Sequence, residues 1–157
     1  MTFTDPQLRA ILALNNAHPD EVSVASEAAL RALLSQAFYL SILGHVDAFL
    51  LALDENAAYA SPNYAWVRAR YPRFAYVDRL VVAPDARGRG LARQMYAGLF
   101  QAAAAAGHSV VLCEVNQDPP NPASDALHTS LGFRPVGKAT VYGGTRTVQY
   151  LARSLVA

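Results

Sequence analysis

One cysteine and two methionines stand among the 157 residues, and only 16% of the chain is charged. A lone cysteine excludes an intrachain disulfide and any multi-cysteine metal cluster. Cys113 lies among valines in a strand-like run, the setting of a buried structural thiol rather than a nucleophile. The net charge is +1, which supplies no electrostatic reason for nucleic acid as the main partner. No apolar run is long enough to cross a bilayer, so no membrane partner is expected. The opening Met1-Thr-Phe-Thr-Asp-Pro6 lacks the basic and apolar regions of a secretion signal, and the expectation is a cytoplasmic protein. Four scattered histidines, His18, His45, His108 and His128, show no ligand spacing, so no metal is expected. What is abundant is apolar: 53% of residues are hydrophobic, enough for one folded domain over 1–157 with no repeat or linker.

Hydrophobic spacing predicts helices over 6–16 and 26–36, then strands over 38–43 and 46–53 turning at Gly44-His45. Residues 54–73 are polar, with Pro62, Pro72, Tyr59, Tyr64, Trp66 and Tyr71; a connection of this length is functional or partly helical. A strand over 74–83, a helix over 90–106 ended by Gly107, and a buried strand over 109–115 follow. After a rigid loop over 116–121, Asn121 and Pro122 open a helix that Gly132 stops. Residues 133–142 and 145–151 pair as a hairpin across Gly143-Gly144. A strand–helix–strand crossover makes its strands parallel, while hairpins make the flanks antiparallel. The expected class is α/β (α+β): a mixed, mostly antiparallel sheet with a central parallel crossover and helices on both faces.

The most informative segment joins the third strand to its helix: Arg87-Gly-Arg-Gly-Leu-Ala92. A glycine-rich turn opening a helix is an anion site, because the first helical N–H groups lack intrahelical partners and point outward with the positive end of the dipole. Glycine lets the backbone come close to a phosphate. The pattern Arg87-x-x-Gly90-x-Ala92 resembles the acetyl-CoA motif of the GCN5-related N-acetyltransferase (GNAT) superfamily. A second segment, Asn121-Pro-Ala-Ser-Asp-Ala-Leu-His-Thr-Ser-Leu-Gly-Phe133, resembles that family's later helix, which an asparagine opens and Leu-Gly-Phe closes. The likeness covers residues 74–151. Cys113-Glu-Val-Asn116 followed by Pro119-Pro-Asn-Pro is similar to a bacterial subgroup of small acetyltransferases.

The resemblance implies the acyl-CoA N-acyltransferase fold and an N-acetyltransferase using acetyl-CoA, without a metal. Its acceptor would be the primary amine of a small molecule or amino-acid-like compound, attacked directly in a ternary complex. It also implies a pyrophosphate held by the backbone of Gly88, Arg89, Gly90, Leu91 and Ala92, with charge from Arg87 and Arg89. Leu80 and Val82 would offer backbone groups to the pantetheine arm. Asn121 would both cap its helix and touch the coenzyme, with Ser124 beside it. Asp78 holds a position where the family often carries an acid acting through water; the alternative is a salt bridge to Arg79 or Arg73. Glu114 and Asn116 share one side of their strand, facing substrate or making a buried hydrogen bond. His128 stands where the family commonly places a tyrosine that protonates the coenzyme sulfur. It is an acid, a hydrogen-bond donor to sulfur, or a cap on an apolar helix face. Asn15 and Asn16, with His18, either bind the acceptor or simply end their helix. Tyr64, Trp66 and Tyr71 either line the acceptor pocket or pack under the loop. A protein N-terminal or aminoacyl-tRNA acetyltransferase and a noncatalytic coenzyme A module are the other readings, and a homodimer through the C-terminal strands is compatible with all of them.

Overall fold

The computed structural model describes residues 3–17, 22–118 and 120–156, so His18 and Pro119 lie outside the described residues. Helices begin where a side chain can satisfy their first N–H groups. Thr4 caps α1 (Asp5–Asn16) in a reciprocal capping box with Gln7, and Ser26 caps α2 (Glu27–Ser35). A hairpin follows, β1 (Tyr39–Leu43) and β2 (Ala48–Asp54). The polar connection after it contains a full helix, α3 (Pro62–Arg70), with Ser61 as its cap and Pro62 at its first position. Next come β3 (Ala75–Val82), a short 3-10 turn at Pro84–Ala86, and α4 (Leu91–Ala105). The chain closes with β4 (Val110–Asp118), α5 (Pro122–Ser130), β5 (Arg134–Val141) and β6 (Arg146–Ser154). Strand β4 runs past the expected end at Val115, because β6 continues to pair with it as far as Asp118.

The six strands lie in the order β1-β2-β3-β4-β6-β5. Among the described residues β3 and β4 form the one parallel pair, joined by the α4 crossover, and antiparallel pairs flank them on both sides. Helices cover both faces. Leu8, Ile11, Leu30, Leu33, Leu34, Tyr64 and Val67 of α1–α3 pack on Phe49, Leu51, Leu53, Tyr76, Val81 and Leu112. Met95, Tyr96, Leu99 and Ala103 of α4 pack on Leu50, Ala52, Ala75, Val77, Val111 and Cys113, with Leu127 of α5 and Leu131 at its C-cap alongside. Being covered twice, β2 is buried along almost its whole length. The outer strand β5 carries Pro135, an irregular register before Gly137, and Lys138, features that discourage pairing with a second chain.

Two irregularities position the site. Strands β3 and β4 pair only at Ala75↔Val111 and Tyr76↔Leu112, then diverge, so the β4-facing edge of β3 has no ladder partner beyond Tyr76. Between β2 and β3 the register steps from Leu51↔Arg79 to Ala52↔Val77, which leaves Asp78 as a bulged residue. Tyr76 and Val81 face α1–α3, while Val77, Leu80 and Val82 face α4. The bulge thus turns both Asp78 and Arg79 toward α1–α3.

Candidate active site

The divergence of β3 and β4 opens a cavity of about 490 Å³ that passes through the sheet. On the α1–α3 side its walls include Ser23, Tyr59, Asn63, Tyr76, Asp78 and Glu114; on the α4–α5 side, Gly90, Leu91, Tyr96, Asn121 and His128. Leu80, Val82, Arg87, Gly88, Ala92, Asn116 and Ser124 also line it, whereas Arg89 is exposed outside it.

At the α4 end, Gly88 and Gly90 have φ of +79° and +74°. A left-handed residue at the helix cap suits glycine and strains other side chains. A Cβ at either position would meet nothing within 4 Å, so these glycines serve backbone conformation and close approach rather than packing. The first N–H groups of α4 therefore face an open, anion-favouring surface at the cavity. This turn and the unpaired edge of β3 suit a long phosphate-bearing substrate such as coenzyme A. The Asn121 side chain accepts from the Ser124 N–H at 3.2 Å, so it caps α5 from within the cavity wall.

His128 is buried, and both its ring nitrogens are occupied. Nδ1 lies 2.7 Å from the Ser124 carbonyl, which can only accept, so Nδ1 carries the proton. Nε2 then accepts from the Tyr96 hydroxyl at 2.7 Å. Desolvation lowers the His128 pKa despite the Ser124 carbonyl and nearby Asp125, which favours this neutral form. A neutral ring so held has no further N–H to offer, which fits the buried reading of His128 better than direct donation to a departing sulfur. Burial pushes the Tyr96 hydroxyl and the Cys113 thiol well up, so Cys113 is a neutral structural thiol beside Tyr96.

On the opposite side the two carboxylates differ sharply. Asp78 accepts from Arg79 Nε at 2.8 Å, with both side chains about 5% exposed or less. Arg79 also donates to Asn15 Oδ1 at 2.9 Å and the Ser23 carbonyl at 3.2 Å. Burial works against its charge and Asp78 outweighs that, so the guanidinium stays protonated. Asp78 is committed to this ion pair, the alternative already visible in the sequence. Glu114 forms no salt bridge among the described residues. Its Oε2 accepts from the Tyr76 hydroxyl at 2.7 Å and its Oε1 from Asn63 Nδ2 at 3.2 Å. Desolvation pushes it up to about 8; the Tyr76 and Asn63 donors oppose that rise and the Asp78 charge adds to it. A half-buried carboxyl on the cavity wall, titrating near neutrality, is the strongest base candidate here.

The residues expected to form the acceptor wall lie elsewhere. Asn15 Nδ2 donates to the Ser23 carbonyl, and Asn16 brackets Ala25 through its N–H and carbonyl; the pair ties α1 to the segment leading into α2. Tyr64 is 1% exposed, its hydroxyl donating to the Asp54 and Ala57 carbonyls in the core. Trp66 stacks on Tyr150 at 3.9 Å with Arg70 over its other face. Tyr71 packs against the α1–α3 core. None of these five lines the cavity. Tyr59, Asn63 and Tyr76 do instead. Asn63 was within reach of sequence reading, because Ser61-Pro62 is a helix start that turns it inward. Histidine spacing also missed a cluster formed in space: His108, Asp54 and Glu55 bring ligand-type atoms within 4.8 Å, although the Arg73 guanidinium already lies 3.4 Å from Glu55. Among the described residues no helix is long and apolar enough to cross a membrane.

The sequence profile of the acetyltransferase (GNAT) family matches residues 18–133. An N-acetyltransferase of Streptomyces griseus is 39% identical over 79 residues, a match covering 48% of this chain and 40% of that protein. The chain therefore spans less than half the length of that curated relative. Two solved structures share the fold. Chaetomium thermophilum Naa20 in complex with a bisubstrate analogue superposes with a TM-score of 0.74 at 19% identity, over 96% of this chain and 84% of that one. The Salmonella typhimurium acetyltransferase yncA with acetyl-CoA gives 0.67 at 19% identity, over 99% and 93%. The profile match, the glycine turn and the diverging strands lead to one assignment: the chain belongs to the GNAT family of acetyltransferases.

Proposed function

We propose that this protein transfers the acetyl group of acetyl-CoA to the primary amine of a small molecule or amino-acid-like acceptor, with both substrates held in the one cavity. The observation that carries this reading is Glu114 on the wall of that cavity, held by Tyr76 and Asn63 and pushed up to about 8 by burial. Acetyl-CoA supplies the activated thioester. The backbone of Gly88, Gly90, Leu91 and Ala92, with Arg87 and Arg89, would hold its pyrophosphate. Leu80 and Val82 would pair with the pantetheine arm along the open edge of β3, with Asn121 and Ser124 opposite.

The acceptor enters from the α1–α3 side, where Tyr59, Tyr76 and Asn116 bound the space. Glu114 takes a proton from the amine, directly or through water, as nitrogen attacks. Asp78 keeps Arg79 neutralised and its negative charge raises the proton affinity of Glu114. The departing sulfur would take its proton from the Tyr96 hydroxyl, which turns from His128 Nε2 toward the cavity and regains a proton from solvent there once the product leaves. Coenzyme A release measured across a panel of amines, with products identified by mass, tests the reading. Turnover with a small amine that collapses in Glu114→Gln supports it. Acetylation confined to peptide N-termini would replace the acceptor class, and no turnover with any amine would leave a coenzyme A-binding module.

A further inference from the structure

Beside Glu114 a chain of buried groups runs from α3 across the same face of the sheet to β6 and β5. Tyr150 of β6 is fully buried, and its hydroxyl donates to Asn63 Oδ1 at 2.9 Å. With its oxygen committed, Asn63 can turn only an N–H toward Glu114 Oε1. The Tyr150 ring is in turn fixed by the stacked Trp66, which comes so close to β5 that a side chain at Gly137 would collide with the indole. Three elements distant in sequence thus converge on the orientation of one amide.

We propose that Asn63, locked by Tyr150, is the positioning residue for Glu114: it presents a donor and no acceptor, so it holds the carboxyl in place and stabilises its ionised form. This deepens the reading of Glu114 as the base and rests on it. A protonated Glu114 would carry its proton on Oε2 toward the Tyr76 hydroxyl. That leaves the Asn63 N–H a neutral carbonyl at Oε1, a weaker partner than a carboxylate oxygen, so the donor favours the ionised form. Freeing the amide lets it flip, offer Oδ1 and favour the acid. The other groups bearing on Glu114 are Tyr76 and Asp78 of β3, the latter paired with Arg79, and Cys113 of its own strand. Tyr96 of α4 and Tyr150 of β6 complete the surround, with Arg70 of α3 acting on Tyr150. None of them replaces the Asn63 donor at Oε1.

The test is an infrared titration of the protonated Glu114 carbonyl, identified by its loss in Glu114→Gln and read without turnover. Asn63→Leu should move the midpoint up by about one pH unit, tenfold in the ionised fraction at neutral pH. Tyr150→Phe should move it in the same direction by less. The alkaline-rising limb of kcat should shift by the same amount, with acceptor KM little changed. Midpoints within about 0.2 pH units of wild type in folded variants would overturn the proposal. If Asn63→Leu does not fold, Tyr150→Phe, which removes one oxygen, decides alone. Wild-type turnover by Glu114→Gln would instead sink the base assignment and leave the midpoint test of Asn63 standing.

Discussion

Replacing Glu114 by glutamine should stabilise the protein, and increasingly so as pH rises. An unfolded glutamate titrates near 4.5, whereas burial raises Glu114 to about 8 in the folded chain. Between those values the unfolded state has lost the proton and the folded state keeps it, so wild-type stability falls with rising pH. The slope is about 1.4 kcal/mol per pH unit, and the loss stops once the folded carboxyl has also ionised. The unscreened cost above pH 8 is on the order of 4–5 kcal/mol. Solvent entering the cavity screens part of it, and a difference of about 2–4 kcal/mol at pH 9 is expected. Glutamine imitates the protonated acid: its carbonyl accepts from Asn63 Nδ2, and its amide donates to a Tyr76 hydroxyl that reverses role. Urea unfolding of both proteins at pH 5, 7 and 9 measures the divergence, and other ionisable groups cancel in the comparison. Parallel stability curves across that range, or a wild type that gains on the variant at high pH, would refute the argument. The same substitution should remove activity, a case of stability given up for a poised base.

Two further outcomes probe the other wall. Gly90→Val forces a β-branched residue into a left-handed cap at φ +74°, costing about 1–2 kcal/mol while closing the turn to phosphate. Calorimetry should find coenzyme A binding lost from a folded protein, and retained affinity would remove the phosphate site from Arg87–Ala92. His128→Leu leaves the buried Tyr96 hydroxyl without its 2.7 Å acceptor, so a double-mutant cycle with Tyr96→Phe should show coupling of about 1–2 kcal/mol. Additive unfolding energies would mean that the two groups do not share a proton.

Where the sequence reading succeeded, the signal was local. Ser26, Asn121-Pro122 and Gly132 mark helix ends by chemistry acting within a turn, and the glycine turn before Leu91 is legible for the same reason. Helix α3 starts at a local signal as well, the Ser61 cap before Pro62, but its aromatic composition does not distinguish Asn63 from Tyr64 and Trp66. Tyr64 and Trp66 are large and apolar, and both found core partners; Asn63 carries the donor that a buried carboxyl requires. Asn15 and Asn16 show how a polar pair at a helix end can serve packing, here by holding Arg79 and the 23–25 segment.

By itself the sequence determined the order of elements other than α3, the mixed sheet and the phosphate-favouring turn, since each depends on periodicity, caps or glycine conformations confined to a few neighbouring residues. Only the tertiary structure set the different surroundings of the two carboxylates. A single bulge in β3 turns Asp78 and Arg79 to the same side, where they neutralise each other. Glu114 instead meets Tyr76 and Asn63, from 38 and 51 positions away. A carboxyl's proton affinity is set by what surrounds it in space, and that surrounding exists only once β3, β4 and α3 have come together.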